Sequence, residues 1–409
     1  MSLKEEALIF HRKTKGKISV ESKSVIENVH DLSLAYSPGV AEPVKEIAFD
    51  PEMAYYYTSK WNMVAVVTDG SAILGLGNLG ALASLPVMEG KAVLFKKFGG
   101  VDAFPICLNT KDSEKIIETV KLIEPVFGGV NLEDIGAPRC FEIERALRDE
   151  LSIPVFHDDQ HGTAVVTLAG LHNALKIVGK KLEDVKIVIN GAGAAGISIA
   201  KLLVHMNAKN VILCDTKGTI YRDRGQGMNP YKEEIAQFTN PEMIKGTLAD
   251  AMKGADVFIG VSVRDVVNQK MVKSMAKDPI VFACANPDPE IHPNAAKEAG
   301  AAVVATGRSD FPNQINNVLG FPGLFRGVLD VRARVINDDM NVAAAVAIAD
   351  SVEENNLTPE HIVPSPLDLE IYPRVAAAVA RAAMKSGVAR FAVLPIDVEL
   401  NARKLLGLG

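Results

Sequence analysis

Hydrophobic residues in this chain recur in two rhythms. Short runs rich in β-branched residues alternate with longer stretches of helical period, the pattern of parallel α/β units. In the first part, Met63–Val67, Ala92–Phe95, Ala103–Leu108 and Pro154–Phe156 read as strands. Each leads into a polar or glycine cluster: TDGS, KKFGG, NTKD and HDDQHG. Ligand-contacting groups of open α/β sheets sit at such carboxyl ends. A second series of runs comprises Val185–Ile189, Val211–Cys214, Val257–Val261, Ile280–Ala283 and Val303–Ala305.

Between the two series, TAVVTLAGLHNALKIV (Thr163–Val178) carries apolar residues at helical spacing, and Gly179 offers a stop. This predicts a helix joining two domains, over residues 1–160 and 161–409. Asn341–Ala349 is Ala-rich but short, which predicts a packed helix. Val375–Lys385, after Pro373, predicts a helix near the C-terminus. The expected fold class is α/β: an N-terminal α/β domain, then a Rossmann-type parallel-sheet dinucleotide-binding domain ending in helices.

Composition changes this picture little. At 409 residues, two or three domains are expected. With 48% hydrophobic and 23% charged residues, ordinary globular cores are expected and disorder is not. A formal net charge of -6 argues against non-specific nucleic-acid binding, which needs a basic surface. The opening MSLKEEALIFHRKTKGK lacks the apolar core of a signal peptide, and no stretch is long and apolar enough to span a bilayer. No two of Cys107, Cys140, Cys214 and Cys284 form a CxxC pair. Cys107, Cys214 and Cys284 lie in or at the end of apolar runs and read as buried thiols. This usage fits a reducing cytoplasm.

Candidate chemistry begins at KIVINGAGAAGISIA (Lys186–Ala200). Gly191 permits a tight turn, Gly193 lets the backbone approach a pyrophosphate, and Gly196 lets the helix pack close to the strand. The segment Gly191, Ala192, Gly193, Ala194, Ala195, Gly196 is therefore expected to bind the cofactor, with phosphates at the helix N-terminus. Asp215 lies 24 residues beyond Gly191, near the ~20 residues expected of a ribose-binding acid. As a ribose ligand it favours NAD, yet Lys217 could neutralise a 2′-phosphate. These residues leave NAD and NADP unseparated.

Two carboxylate pairs stand out, Glu133–Asp134 in GGVNLEDIGAP and Asp158–Asp159 in PVFHDDQHGTA. Both follow apolar runs. Hard oxygen donors without a Cys or His framework suit magnesium or manganese, although solvated loop acids or helix caps would read the same way. Neighbouring strand residues point to opposite faces, so joint use of Glu133 and Asp134 requires the backbone to turn. His157 and His161 flank the second pair and could ligate or support it.

Several longer stretches resemble the malic enzymes in their short bacterial form. They are YSPGVAEP (Tyr36–Pro43), TDGSAILGLGNLG (Thr68–Gly80), MEGKAVLFKKFGGVDAFP (Met88–Pro105), GGVNLEDIGAPRCFEIE (Gly128–Glu144), FHDDQHGTA (Phe156–Ala164) and TGRSDFPNQINNVLGFPG (Thr306–Gly323). They span nearly the whole chain in the family's order. The resemblance implies an N-terminal domain holding substrate and metal, and oxidative decarboxylation of malate to pyruvate with NAD or NADP and Mg²⁺ or Mn²⁺. It implies Tyr36 as general acid and Lys91 as general base. It implies Glu133, Asp134 and Asp159 as metal ligands, and contacts to malate or the nicotinamide end from Lys91, Asn286 and Asn317, with Asn316 a second candidate. The family is usually at least dimeric. Longer members carry an arginine just before the ILGLG run where this chain has Ala72, so Arg139 and Arg308 become candidates for gripping the second carboxylate.

A base lysine needs a pKa well below its free value of about 10.4. A nearby cation and a partly apolar site would both lower it. Tyr36, before the Pro38–Gly39 turn signal, could protonate C3 of an enol. Two other outcomes remain open in the sequence. Malolactic relatives, which convert malate to lactate and resemble the longer form more, keep the cofactor and metal. A non-catalytic dinucleotide sensor would not need Tyr36, Lys91 and three carboxylates together.

Overall fold

The computed structural model describes residues 2–409. Its strands are β1 (Met63–Thr68), β2 (Asp102–Cys107), β3 (Gly129–Leu132), β4 (Val155–His157), β5 (Lys186–Asn190), β6 (Asn210–Asp215), β7 (Gly218–Thr219), β8 (Val257–Gly260), β9 (Ile280–Ala283) and β10 (Val303–Thr306). The first sheet runs β2-β1-β3-β4, all parallel. The second runs β10-β9-β8-β5-β6-β7, parallel except for the short β7. In the second sheet the chain leaves β5 first toward β6 and later returns to its other side with β8. That reversal is the crevice where open parallel sheets bind ligands.

The helices used below are α1 (Leu3–Thr14), α2 (Val29–Ala35), α3 (Ala41–Phe49), α4 (Ala81–Gly99), α5 (Arg139–Glu150), α6 (Thr163–Val178), α7 (Ala194–His205), α8 (Phe321–Asp330), α9 (Asp338–Asp350), α10 (Ile371–Lys385) and α11 (Pro395–Leu406). Helix α6 has the bounds read from its apolar spacing and stops at Gly179, left-handed at φ 66°. The late helices α8, α10 and α11 pack back onto α4 of the first sheet. One continuous hydrophobic core therefore threads both sheets.

One expected strand is absent. Ala92–Phe95 is the interior of α4, whose buried residues include Ala81, Ser84, Met88, Lys91, Ala92, Phe95 and Phe98. Those positions fall on one helical face. Four apolar residues in a row resemble a strand only when the flanking period is ignored. Conversely, β3 has no counterpart among the expected strands, because GVNL is short and contains a polar Asn131. Its hydrogen bonding between β1 and β4 makes it central nonetheless.

The thiols also differ from expectation. Cys214 is buried, but Cys107 and Cys284, at or just past strand ends, are half-buried, and Cys140 at the start of α5 is fully buried. Among the described residues no helix is long and apolar enough to cross a membrane.

The α8–α10 contact depends on a glycine. A Cβ on Gly327 would lie 2.3 Å from the Ala376 carbonyl oxygen. Gly327→Ala should therefore destabilise the protein by about 1–3 kcal/mol, as overpacking does. A thermal melt of that variant matching the parent would show that the helices separate without cost.

Candidate active site

Lys91 projects from the buried face of α4. Its Nζ donates to Asp158 Oδ2 at 2.6 Å and lies 3.0 Å from Glu133 Oε1 and 4.3 Å from the centre of the Phe321 ring. Beneath it, Phe95 packs against Phe321 and Phe325, and Phe325 against Phe156, with ring centres 4.7, 5.1 and 5.7 Å apart. This aromatic layer ties α4, β4 and α8 together under the lysine. Burial pushes the Lys91 pKa down, but the adjacent Asp158 and Glu133 outweigh it and the net shift is upward. The lowering expected from sequence is thus reversed here, because two carboxylates face the ammonium.

The acids gather at the ends of β3 and β4. Asp134 has φ 53°, so the chain turns sharply after Glu133, as joint use of the pair requires. The turn is held by Ala72 N–H donating to the Asp134 carbonyl at 3.0 Å and Asp134 N–H donating to Asp159 Oδ2 at 2.8 Å. Asn131 Nδ2 donates to Glu133 Oε2 at 2.9 Å. After β4, Asp158–Gly162 form a single π-helical turn. A Cβ on Gly162 would lie 1.8 Å from Asp158 Oδ1, so a side chain there would force the Asp158 carboxylate aside.

Glu133, Asp134 and Asp159 each offer an oxygen within 4.8 Å of the others. Asp134 Oδ2 is buried without a partner. Burial and crowding by Asp158, Asp159 and Asp134 push Glu133 well up despite Lys91, and burial with Asp159 pushes Asp134 up to about 7. Oxygen-only donors, an orphaned carboxylate oxygen and uncompensated negative charge fit a hard divalent cation.

Asn317, just before α8, enters the same cluster. Its Nδ2 donates to Asp158 Oδ2 at 3.0 Å, and its Oδ1 accepts from Thr163 at 3.3 Å. Asn316 instead accepts from the Val318 amide. Asn286 follows β9 at a cis peptide before Pro287 and is exposed. A Cβ on Gly75 would lie 2.7 Å from the Asn286 carbonyl, so a loop of the first sheet touches a loop of the second here.

The glycine loop fits a dinucleotide. The Gly191 amide donates to the Cys214 carbonyl at 2.9 Å. A Cβ on Gly191 would lie 2.4 Å from the Val261 carbonyl oxygen, and one on Gly196 would lie 1.7 Å from the Gly191 carbonyl oxygen. Gly193 faces open space, with nothing within 4 Å. Ala192, Ala194 and Ala195 complete the turn into α7, whose free N–H groups suit phosphate. Asp215 ends β6 as expected, but its carboxylate is already held by Arg224 at 2.5 and 2.9 Å and by Lys232 at 2.7 Å.

Other candidates stand apart. Tyr36 is 71% exposed, in a segment whose helices α1, α2 and α3 contain no buried residue, and it does not join the Lys91 cluster. Arg139 donates to Asp69 at 2.6 Å and Ser71 at 3.0 Å, and Arg308 is bidentate to Asp310, so each cation already has an acid. His161 pairs with Glu144 at 2.6 Å, and His157 is buried with both nitrogens unpartnered. Sequence alone gives Asp158 no role of its own, although it is Lys91's nearest partner. Its place beside Asp159 in HDDQHG was the available signal. Arg224 gave none.

Two family models match: the malic enzyme N-terminal domain over residues 15–148 and the malic enzyme NAD binding domain over 160–384. A Bacillus subtilis protein named bifunctional malic/malolactic enzyme is 61% identical over 409 residues, all of both chains. Its equal length corrects the expectation that malolactic relatives resemble the longer form. A Geobacillus stearothermophilus NAD-dependent malic enzyme is 58% identical over 93% of this chain and 79% of its own. A malic enzyme crystal structure from Pyrococcus horikoshii superposes with a TM-score of 0.96 at 52% identity, covering 100% of this chain and 96% of that one. With both domain models in sequence order, and relatives that match from end to end, this chain belongs to the malic enzyme family.

Proposed function

We propose that this chain oxidises and decarboxylates malate to pyruvate and carbon dioxide, passing a hydride to NAD or NADP, and that it also decarboxylates oxaloacetate. One observation carries the reading: a buried lysine paired with Asp158 and Glu133, at the rim of a three-carboxylate cluster. We keep residues 1–160 as the substrate and metal domain and 161–409 as the dinucleotide domain. The four free thiols suit the cytoplasm.

Malate loses a hydride from C2 and a proton from its C2 hydroxyl, giving oxaloacetate. Lys91 Nζ receives that proton, and Asp158 holds the Nζ in place, itself fixed by Asn317. Asn286 and Asn317 contact malate or the nicotinamide end. The C3–C4 bond then breaks, C4 leaves as carbon dioxide, and the bond's electron pair forms the enolate of pyruvate. Tyr36 delivers the proton to C3. Glu133, Asp134 and Asp159 would hold Mg²⁺ or Mn²⁺, which when bound stabilises negative charge on the C2 oxygen and offsets the carboxylates that keep Lys91 protonated. Gly191–Gly196 would cradle the pyrophosphate of the dinucleotide, which supplies the hydride acceptor.

Tyr36 needs a second copy of the chain for this role. The segment around it exposes Leu8, Phe10, Val20, Val29, Leu34 and Phe49, apolar residues that a lone monomer would leave in water. We assign the covering of this arm to a symmetric dimer in which Tyr36 serves the partner's site. A second reading, malate to lactate, is favoured by the name of the Bacillus subtilis relative. Product analysis separates them: pyruvate with reduced cofactor, or lactate with none.

The metal assignment predicts a stability effect. Manganese at about a hundred times its Kd should stabilise the protein by ~2.7 kcal/mol. Asp134→Asn should abolish that gain. In chelated protein the same change should raise Tm, because it removes one of three crowded carboxylates. Equal stabilisation of parent and variant by manganese would place the ion elsewhere.

Lys91→Ala and Tyr36→Phe should each lose roughly 10²–10⁴ in malate turnover. Mixing the two and allowing subunit exchange should restore about a quarter of wild-type activity, because half the dimers are then mixed and each holds one complete site. Mixtures as inactive as their parents would put Tyr36 and Lys91 in the same subunit's site.

A further inference from the structure

Glu290, in the ANPDPE stretch after β9, is an acid outside the Lys91 cluster and is fully buried. A carboxylate in the interior is costly unless its oxygens are satisfied. Three donors satisfy both. Oε1 accepts from the Ser262 amide at 2.8 Å and the Ser262 hydroxyl at 3.0 Å, and Oε2 accepts from the Ala285 amide at 3.0 Å. Burial pushes the Glu290 pKa up, and these hydrogen bonds work against it. The last residue of β8 makes the room, since a Cβ on Gly260 would lie 2.3 Å from the Glu290 carboxyl carbon.

The donors belong to two loops. Ser262 follows β8, while Ala285 follows β9 and directly precedes Asn286. Past the last bond between these strands, from the Cys284 amide to the Gly260 carbonyl at 2.9 Å, the Glu290 carboxylate takes over as the bridge. The β8 loop also backs the dinucleotide turn. Asn190 Nδ2, at the end of β5, donates to Ser262 Oγ at 2.8 Å, and the Val261 carbonyl is the group that a Cβ on Gly191 would strike. On the other side, Asn286 Nδ2 lies so near Gly307 that a Cβ there would be 3.1 Å away. One buried carboxylate therefore stands between the glycine loop and Asn286.

We propose that Glu290 is a positioning residue for hydride transfer. It ties the loop that backs the dinucleotide turn to the loop that carries Asn286, and so holds the nicotinamide end in register with malate. This rests on the function proposed above and adds a buried residue beneath its two loops. The geometry needs a carboxylate. Both oxygens accept from N–H groups, and a glutamine has only one oxygen to offer. Its NH₂ would face the amide of Ser262 or of Ala285 and release that loop. Hydride transfer tolerates little of this, because a misplacement of about 1 Å can cost roughly 10²-fold in rate.

The test is a single-turnover reaction of the intact protein with manganese, saturating malate and NAD or NADP, read as formation of reduced nicotinamide. Glu290→Gln should slow it roughly 10- to 100-fold. Deuterium at C2 of malate should slow the variant further, which identifies hydride transfer as the impaired step. Affinity for 5′-ADP, which carries only the adenosine end, should stay within about twofold of the parent by calorimetric titration. Ser262→Ala keeps the carboxylate and both amide bonds and should slow the same step by only about fivefold, the worth of one hydrogen bond. Parent-like rates in folded Glu290→Gln, even with a lower Tm, overturn the proposal, because Glu290 then serves stability alone. So does a loss of 5′-ADP affinity as large as the loss of rate, which means that the whole cofactor site is disturbed. If Glu290→Gln does not fold, Ser262→Ala decides, and a parent-like rate in it overturns the proposal. A parent that forms no reduced nicotinamide from malate overturns the proposed function itself, and the role of Glu290 with it.

Discussion

The contact on which this site depends is the ion pair of Lys91 with Asp158, 2.6 Å long and out of water. Removing one partner from such a pair strands the other as a buried charge, a loss of several kcal/mol. The surroundings are arranged to prevent that. Asp158 also accepts from Asn317, which comes from beyond β10, and Lys91 rests over Phe321 at the start of α8. The pair thus joins a helix of the first sheet to a turn after β4 and, through Asn317 and Phe321, to one segment of the second domain. Any shift between the domains would have to break the Asn317–Asp158 bond and lift Lys91 off Phe321.

The same geometry creates an excess. Lys91 contributes one positive charge, while Glu133, Asp134, Asp158 and Asp159 lie around it. Carboxylates this close cannot all ionise freely; burial first, and this crowding after it, pushes Glu133 and Asp134 upward. A divalent cation relieves it directly. It would also take negative charge away from Lys91, which between two carboxylates is held too firmly protonated to accept a proton from malate. In the proposed mechanism, base strength and metal affinity are therefore two aspects of one charge imbalance.

Much of this was legible in the sequence because its signals are local. The bounds of α6 follow from apolar spacing and Gly179, and the turn into α7 follows from Gly191, Gly193 and Gly196. The sharp turn at Asp134 follows from the demand that adjacent acids share a face. What escaped were features decided by distant residues. The AVLF run folds as helix because its buried face extends from Ala81 to Phe98, a period visible only over nineteen residues. The pKa of Lys91 depends on acids 42 and 67 positions away, which no local window contains. Arg224 carried no motif, and its role appears only once the loop after β7 folds back onto Asp215.

Two strand-end acids illustrate how differently one residue type is used in this chain. Asp134 has a buried oxygen with no partner and an upward-shifted pKa, which suits a cation ligand. Asp215 is saturated by Arg224, Lys232 and a backbone amide and is shifted downward, the condition of a group whose cation is built in. Position in the fold is equivalent, since both lie at the carboxyl end of a parallel strand, on the ligand-binding edge. The contrast arises from what gathers at each strand end. The turn after β4 brings Asp158 and Asp159 to Asp134, and past β6 the chain brings a hairpin and a loop rich in basic residues. One edge is thereby left negative and the other positive. In the proposed function the negative edge takes the metal and the positive edge the phosphate-bearing cofactor.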